Sequence, residues 1–237
     1  MAITDTSELP IEGAGEDRAR LIRDRLRNAI MDRRLVCGAK LAEAEVGALF
    51  DVSRTIARAA LQMLAFEGLV RIERNRGAFV ADPPPAEARQ VFAARRLIEP
   101  GIVAAVCAGA SAADLARLRR HLTAERRHMN QPGAAARRAE IKASGEFHLM
   151  LAAISGNAIL HRFMEELVAR SSLVISLYGR TGASSCGHDE HARIVEAIAG
   201  RDATAAQTLV LRHIEHIEAD LDLRSRGELP LREALEL

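Results

Sequence analysis

The stretch DVSRTIARAALQMLAFEGLV, residues 51–70, has a helix-capping serine as its third residue and ends with a glycine followed by two apolar residues. Ser53 suits the N-cap, because its hydroxyl can accept a hydrogen bond from a free N–H of the first turn, and Gly68 marks the C-terminal stop. The apolar stripe that should face the core is Ala57, Ala60, Leu61 and Leu64. Arg54 and Arg58 therefore share the opposite face, near the start of the helix.

Elements on both sides of this helix predict a winged helix-turn-helix. The apolar residues of a first helix recur at helical spacing at Leu21, Ile22, Leu26 and Ile30, and a short second helix is expected at about 42–50. The segment 69–82, LVRIERNRGAFVAD, alternates as strand, turn and strand, with Asn75, Arg76 and Gly77 at the turn. Three helices followed by a two-stranded wing make up this motif.

The exposed face of the capped helix is suited to DNA. A helix in the major groove contacts base edges with its first turns, and arginine donates well to O6 and N7 of guanine. Ser53 and free N–H groups can hold a phosphate, and Thr55 can donate to a phosphate or a base. Two isolated arginines four residues apart usually only solvate a helix surface. Here the two preceding helices, the serine cap and the wing follow one another in the order and spacing of a winged helix-turn-helix. Arg54 and Arg58 are therefore predicted to contact DNA.

Composition limits the remaining possibilities. The chain has 237 residues, 49% apolar and 27% charged, which is enough for two domains, and its single Tyr and lack of Trp favour a mostly α fold. The formal net charge of +1 confines nucleic-acid binding to a local patch. Three scattered cysteines suggest neither a disulfide framework nor a thiolate zinc site. No signal peptide or membrane-spanning run is evident, so we expect a cytoplasmic protein.

The three prolines at 83–85 should end the first domain. We expect a flexible arm at 1–15, the winged helix-turn-helix at 16–82 and a proline-rich linker at 83–88. An all-helical bundle of about six helices, for effector binding and dimerisation, should follow at 89–222, with a tail at 223–237.

Three histidines of the second domain are expected to point inward. His191 opens an apolar stripe, His213 lies on the apolar face of another helix, and His148 follows Phe147 on a third. Three inward imidazoles could converge as a ligand set for Zn²⁺, Ni²⁺ or a similar ion. Spacing alone does not show convergence, and a histidine on an apolar face is more often a hydrogen-bonded core residue. Both interpretations stay open at this level.

The first domain resembles a known family. The segment 41–80, LAEAEVGALFDVSRTIARAALQMLAFEGLVRIERNRGAFV, is similar to the DNA-binding domain of GntR-family bacterial transcription regulators through its L-x-E, V-S-R-T, E-G-L-V and G-x-x-V elements. The resemblance implies that the DNA-contacting residues are Ser53, Arg54, Thr55 and Arg58, with Gly77 at a wing tip that approaches the minor groove. Departures at Cys37, Ile56, Ala57 and Ala59 suggest a different preferred operator.

The second domain resembles the FadR-type ligand-binding domain, called FCD. The similar segments are ARRLIEPGIVAAVCA (94–108), FHLMLAAISGN (147–157) and DEHARIVEAIAGRDATAAQTLVLRHI (189–214). The resemblance implies that Arg95 binds an effector carboxylate, although an i, i+4 pair with Glu99 would explain it as well. The family's metal ligands, an aspartate and three histidines, correspond to Ser144, His148, His191 and His213.

Serine is a poor ligand for a divalent ion. The predicted site is therefore a three-histidine site completed by water, a weaker metal site, or a site without metal. We expect Ser144, like Arg95, to bind the effector. His188 and His216 lie one turn away from His191 and His213 and are expected at the surface.

These patterns predict a regulator, not an enzyme. We expect a repressor that senses a small organic acid and binds a palindromic operator as a homodimer, since paired recognition helices need two-fold symmetry. One alternative is a metal-dependent hydrolase-type enzyme, in which three histidines activate water. Its general base is not evident, because Glu146, Asp189 and Glu190 have no compelling inward placement. The other alternative is a helical adaptor that does not bind DNA.

Overall fold

The computed structural model of the protein describes residues 12–129, 133–180 and 186–223. Its chain divides into two compact units, separated after Ala81. Over these ranges the first unit is a winged helix-turn-helix and the second consists of six helices. The predicted fold class, a mostly α protein with a winged helix and a helical bundle, is confirmed.

The first unit combines three helices with a small antiparallel sheet. The elements are α1 (Glu12–Met31), β1 (Lys40–Leu41), α2 (Glu43–Phe50), α3 (Arg54–Phe66), β2 (Val70–Glu73) and β3 (Gly77–Val80). The strand order is β1-β3-β2, with Lys40 opposite Phe79 and Val70 opposite Val80. Strand β1 was not predicted from the sequence, because two residues are too few to show the alternation of a strand.

The recognition helix α3 is held as its sequence predicts. Its stripe Ala57, Ala60, Leu61 and Leu64 is fully buried. At the N-terminus the Ser53 Oγ accepts a hydrogen bond from the Ile56 N–H at 3.4 Å. At the other end Gly68 has a φ of +73°, a left-handed conformation that suits glycine. The helix is thereby fixed at both ends, with its polar face outward.

Three features of the structure lie across the domain boundaries expected from the sequence. Helix α1 begins at Glu12, inside the arm predicted for 1–15, and residues 1–11 of that prediction lie outside the described residues. Helix α4 (Pro85–Gly109) begins inside the predicted linker, because proline is well tolerated in a first turn, where its missing N–H would have no partner. Leu223 is buried and therefore belongs to the second unit, not to the tail predicted for 223–237.

The second unit is built from six helices. After α4 follow α5 (Ala112–Met129), α6 (Ala134–Ile154), α7 (Ala158–Tyr178), α8 (Cys186–Ala199) and α9 (Ala203–Ala219). The main packing pairs are α4 with α9, α6 with α7, and α8 with α9. The core includes Phe92, Phe147, Leu151 and Met164. Among the described helices of the chain, none is long and apolar enough to cross a membrane.

The end of α7 is tied to two other parts of this unit. The Tyr178 hydroxyl donates a hydrogen bond of 2.9 Å to the carbonyl of Pro83, just before α4. The N–H of Asp222 donates to the Tyr178 carbonyl at 2.9 Å, and Gly179 forms an antiparallel bridge with Leu221. These bonds fix the place where α7 ends.

Candidate functional site

Three helices of the second unit bring three histidines together. His148 comes from α6, His191 from α8 and His213 from α9, and all three are buried. The Nε2 atom of His213 lies 3.2 Å from that of His148 and 3.0 Å from that of His191. The structure thus shows the convergence that sequence spacing left open.

Each ring meets a carboxylate through its other nitrogen, Nδ1. The contacts are Glu99 with His148 (2.6 Å), Glu125 with His191 (3.0 Å) and Glu190 with His213 (2.8 Å). The contact of His148 is close but not aligned as a hydrogen bond. A carboxylate favours the proton on Nδ1, so each neutral ring keeps a lone pair on Nε2, the arrangement usual for metal-binding histidines. The three lone pairs then face one another.

This donor set fits a divalent metal ion. Lone pairs 3 Å apart repel unless a proton or a cation lies between them. With a metal–nitrogen bond of about 2.1 Å, two nitrogens stand about 3.0 Å apart at a right angle and about 3.4 Å apart at a tetrahedral angle. The observed separations of 3.0 and 3.2 Å fall in this range. These two separations therefore suit Zn²⁺ or a similar ion, and the ligand atoms of all three histidines lie within 4.8 Å of one another.

The charge states also suit a cation. Burial lowers the pKa of His148 and that of His213 to about 4, and lowers the pKa of His191 well below its usual value. Burial acts to raise the pKa of Glu190, but hydrogen bonds from His213 and His216 lower it to about 2. At neutral pH the rings are therefore neutral, as ligation requires, and Glu190 is ionised.

Arg95 of α4 lies next to the histidines. Its Nε donates to Glu99 Oε1 at 2.6 Å, and its Nη1 donates to Ser171 Oγ at 3.2 Å. Its Nη2 is buried and finds no hydrogen-bond partner among the described residues. The pair with Glu99 is thus present, and the guanidinium still keeps a donor for a ligand. The same Arg95 guanidinium, with His148, lowers the pKa of Glu99 against the effect of burial.

A cavity of about 90 Å³ joins these groups. Its polar lining includes Arg95, Ser144, His148, Ser171, Ser172 and His213. Arg137 and Glu140 also line it and form a salt bridge of 3.0 Å with each other. A small anion in this cavity would meet the guanidinium of Arg95, serine hydroxyls and the rings of His148 and His213. The carboxylates that also line the cavity are those of Glu140, Glu190 and Asp220.

The acidic residues around the cluster differ from the sequence prediction. Glu190, expected to lack an inward placement, has a side chain only 18% exposed and holds His213. Its other oxygen contacts His216, which is 62% exposed, and the side chain of His188 lies outside the described residues. Glu146 and Asp189 are exposed. Glu125 was missed, because nothing distinguishes it from other charged residues of α5.

The predicted DNA-contacting residues lie on the first unit. Ser53, Arg54, Thr55 and Arg58 are exposed at the N-terminal part of α3, and Gly77 is exposed at the start of β3 with a φ of +105°. Arg58 forms two hydrogen bonds of 2.8 Å with Glu43 of α2, from Nε to Oε1 and from Nη2 to Oε2. This pairing of Arg58 with Glu43 was not predicted from the sequence.

The fold and the cavity define a class of protein. A winged helix with exposed arginines is joined in one chain to a helical domain with a cavity lined by an arginine, serines and histidines, as in one-component regulators of transcription. Residues 18–80 match the family "Bacterial regulatory proteins, gntR family", and residues 90–216 match the FCD domain. The chain belongs to the GntR family of transcription regulators and carries an FCD ligand-binding domain.

Similar proteins carry regulator names. The Uxu operon regulator of Haemophilus influenzae is 28% identical over 202 residues, which cover 78% of this chain and 74% of that protein. The HTH-type transcriptional regulator LutR of Bacillus subtilis is 27% identical over 190 residues, covering 71% and 84%. The crystal structure of a transcriptional regulator GntR from Rhodococcus sp. RHA1 superposes with a TM-score of 0.72 at 27% identity, covering 86% and 96% of the two chains.

Proposed function

We propose that this regulator is a cytoplasmic repressor that binds a palindromic operator as a homodimer and senses a small organic acid. The observation that carries the proposal is the buried Nη2 of Arg95, which has no partner among the described residues and belongs to a side chain that lines the cavity. A buried donor without a partner costs free energy that a bound carboxylate would recover through a charge-assisted hydrogen bond.

The histidine cluster supports a metal-assisted site. His148, His191 and His213 would hold a divalent ion such as Zn²⁺ or Ni²⁺, and the ion would supply positive charge for a carboxylate. Ser144 lines the cavity in place of an acidic ligand. Because no acidic side chain takes the position of Ser144, the ion would keep more positive charge for an anionic effector than it would beside an acidic fourth ligand.

The first unit supports operator binding. Arg54 and Arg58 extend from the start of α3, Ser53 and Thr55 offer hydroxyls for phosphates, and Gly77 lets the wing approach a groove closely. Two copies related by a two-fold axis would place two such helices on successive half-sites.

The cavity offers little support for hydrolysis. A water bound to a metal would need a general base within hydrogen-bond reach. The carboxylates nearest the histidines are Glu99, Glu125 and Glu190, and each already contacts a ring nitrogen. A regulatory role therefore accounts for these residues better than catalysis does.

Calorimetry of the full-length protein against a panel of small organic acids tests the effector site. The variant Arg95→Lys keeps the charge but removes the forked guanidinium, whereas Arg96→Lys makes the same change on a neighbour that pairs with Glu218. We expect an acid to bind the wild type and Arg96→Lys but not Arg95→Lys. Equal binding by all three proteins would contradict the proposal.

Binding to DNA from the protein's own promoter region tests the operator function. Affinity should fall steeply with salt, because arginine contacts to phosphates release counterions. For a repressor, transcription of a reporter from that promoter should rise when the gene is deleted. A flat salt profile would favour the adaptor alternative.

A further inference from the structure

Glu43 and Arg58 form a two-point pair on the surface of the first unit. Glu43 is the first residue of α2 and Arg58 lies on the second turn of α3, fifteen positions later. Both hydrogen bonds measure 2.8 Å. The hydrogen bonds from Arg58 lower the pKa of the Glu43 carboxyl, so the carboxylate is ionised at neutral pH. The pair joins the two helices of the helix-turn-helix at its polar face.

The pair occupies one particular edge of the guanidinium. Arginine has five N–H donors in a rigid plane. Glu43 takes the side edge, formed by Nε and one hydrogen of Nη2. The end edge, formed by Nη1 and the other hydrogen of Nη2, keeps two parallel donors. These are the two donors that a bidentate contact with O6 and N7 of guanine requires.

We propose that Glu43 is a positioning residue for DNA reading, which holds Arg58 by its side edge and thereby presents the end edge to a guanine at one position of each half-site. The inference rests on the proposed DNA contact of Arg58. Its physical basis is preorganisation, since a long side chain that is already oriented loses less conformational freedom when it binds.

Stability is not the main role of this pair. The two side chains are 58% and 34% exposed, and an exposed ion pair contributes little to folding. The Glu43 carboxylate also repels the phosphates of DNA. Removing its charge should therefore strengthen non-specific DNA binding while it weakens the preference for guanine. These two effects have opposite signs, which a general loss of structure would not produce.

A matched control lies on the same helix. Glu45 is exposed on α2, two residues after Glu43, and carries the same charge. The variant Glu45→Gln removes one negative charge near the proposed interface and leaves the pair with Arg58 intact. It therefore isolates the electrostatic effect from the orienting effect.

The experiment is a selection from a random double-stranded DNA library with the full-length protein, followed by competition binding on the selected sequence. The proteins compared are the wild type, Glu43→Gln, Glu45→Gln, Arg58→Ala and the Glu43→Gln, Arg58→Ala double variant, each checked for unchanged thermal unfolding. We expect Glu43→Gln to reduce the preference for guanine about tenfold at one position per half-site. In the Arg58→Ala background Glu43→Gln should cause no further loss of preference, and Glu45→Gln should leave it unchanged.

The possible outcomes distinguish the DNA contact of Arg58 from the positioning role of Glu43. If Arg58→Ala abolishes the preference at one position and Glu43→Gln leaves it intact, Arg58 reads the base without help from Glu43 and the inference is wrong. If Arg58→Ala changes no position, the proposed contact of Arg58 is itself wrong, and the inference falls with it. Equal effects of Glu43→Gln and Glu45→Gln would show that only charge matters, which would also overturn it.

Discussion

Acidification should destabilise the metal-free second unit and leave the first unit unaffected. The cause is the neutral state of the buried histidines. In the unfolded chain these rings take up protons below about pH 6.5, whereas in the folded protein His148 and His213 stay neutral until about pH 4. Between these values the unfolded state binds more protons, so the free energy of unfolding falls as the pH falls.

The size of this effect follows from the two shifts. Between about pH 7.5 and pH 5.5, each ring lowers the free energy of unfolding by about 1.3 kcal/mol, since proton uptake by the unfolded state costs about 1.4 kcal/mol per pH unit below its pKa. His148 and His213 together should therefore remove about 2–3 kcal/mol, and the lowered pKa of His191 acts in the same direction. The Glu190 carboxylate loses its contribution only at lower pH, as its folded pKa of about 2 is approached.

Tyr178 serves as a fluorescent probe of the second unit, and the first unit, which contains no histidine, serves as the control. Tyr178 is the only tyrosine, no tryptophan is present, and the residue is buried in the second unit. Its fluorescence during urea unfolding, with a chelator present, therefore reports on that unit alone. All eight histidines lie beyond residue 120, so the first unit contains none. Hydrogen exchange of its slowest amides should give the same stability at both pH values.

Two results would refute this reasoning. One is an unfolding midpoint of the second unit that does not change between the two pH values. The other is an equal loss of stability in both units, which would indicate a general effect of acid. Addition of Zn²⁺ at neutral pH should raise the midpoint of the second unit, because a metal that binds only folded protein stabilises it.

Three substitutions give further expectations. Arg58→Ala should cost about 1–3 kcal/mol per half-site in operator affinity and relax base preference at one position, as measured by competition binding, whereas a uniform loss on all sequences would indicate a phosphate contact. Ser144→Asp should tighten metal binding and weaken binding of an organic acid in calorimetry, because the added carboxylate reduces the net charge at the metal; tighter binding of both would disprove the charge argument. Gly68→Ala should lower the thermal stability of the first unit by about 1–2 kcal/mol, since an L side chain is strained at positive φ, and no change would mean that the loop relaxes.

Much of the fold was predictable, because the residues that cap the helices and the spacing of the apolar residues indicate the same elements. The ends of α3 were marked by Ser53 and Gly68, and its buried stripe had helical spacing. The two-residue strand β1 was not predictable, because its pairing with β3 depends on tertiary structure alone.

The candidate site was predictable only in part. The helical periodicity predicted that three histidines point inward. Whether their rings meet depends on how α6, α8 and α9 pack, which one sequence does not specify. The carboxylates behind the rings were harder to find. Glu125 lies on a helix rich in charged residues, where burial of one glutamate leaves no mark on the pattern, and Glu43 required knowledge of how α2 faces α3.

The hydrogen bond between Tyr178 and Pro83 has a mechanical consequence. Gly179, the next residue, lines the cavity, whereas Pro83 lies only two residues after Ala81, where the first unit ends. Because the same end of α7 is also bonded to Asp222, it cannot swing freely. A displacement of the cavity wall at Gly179 would therefore strain the hydrogen bond from Tyr178 to Pro83, so the phenol links the cavity wall to the chain segment that follows the first unit.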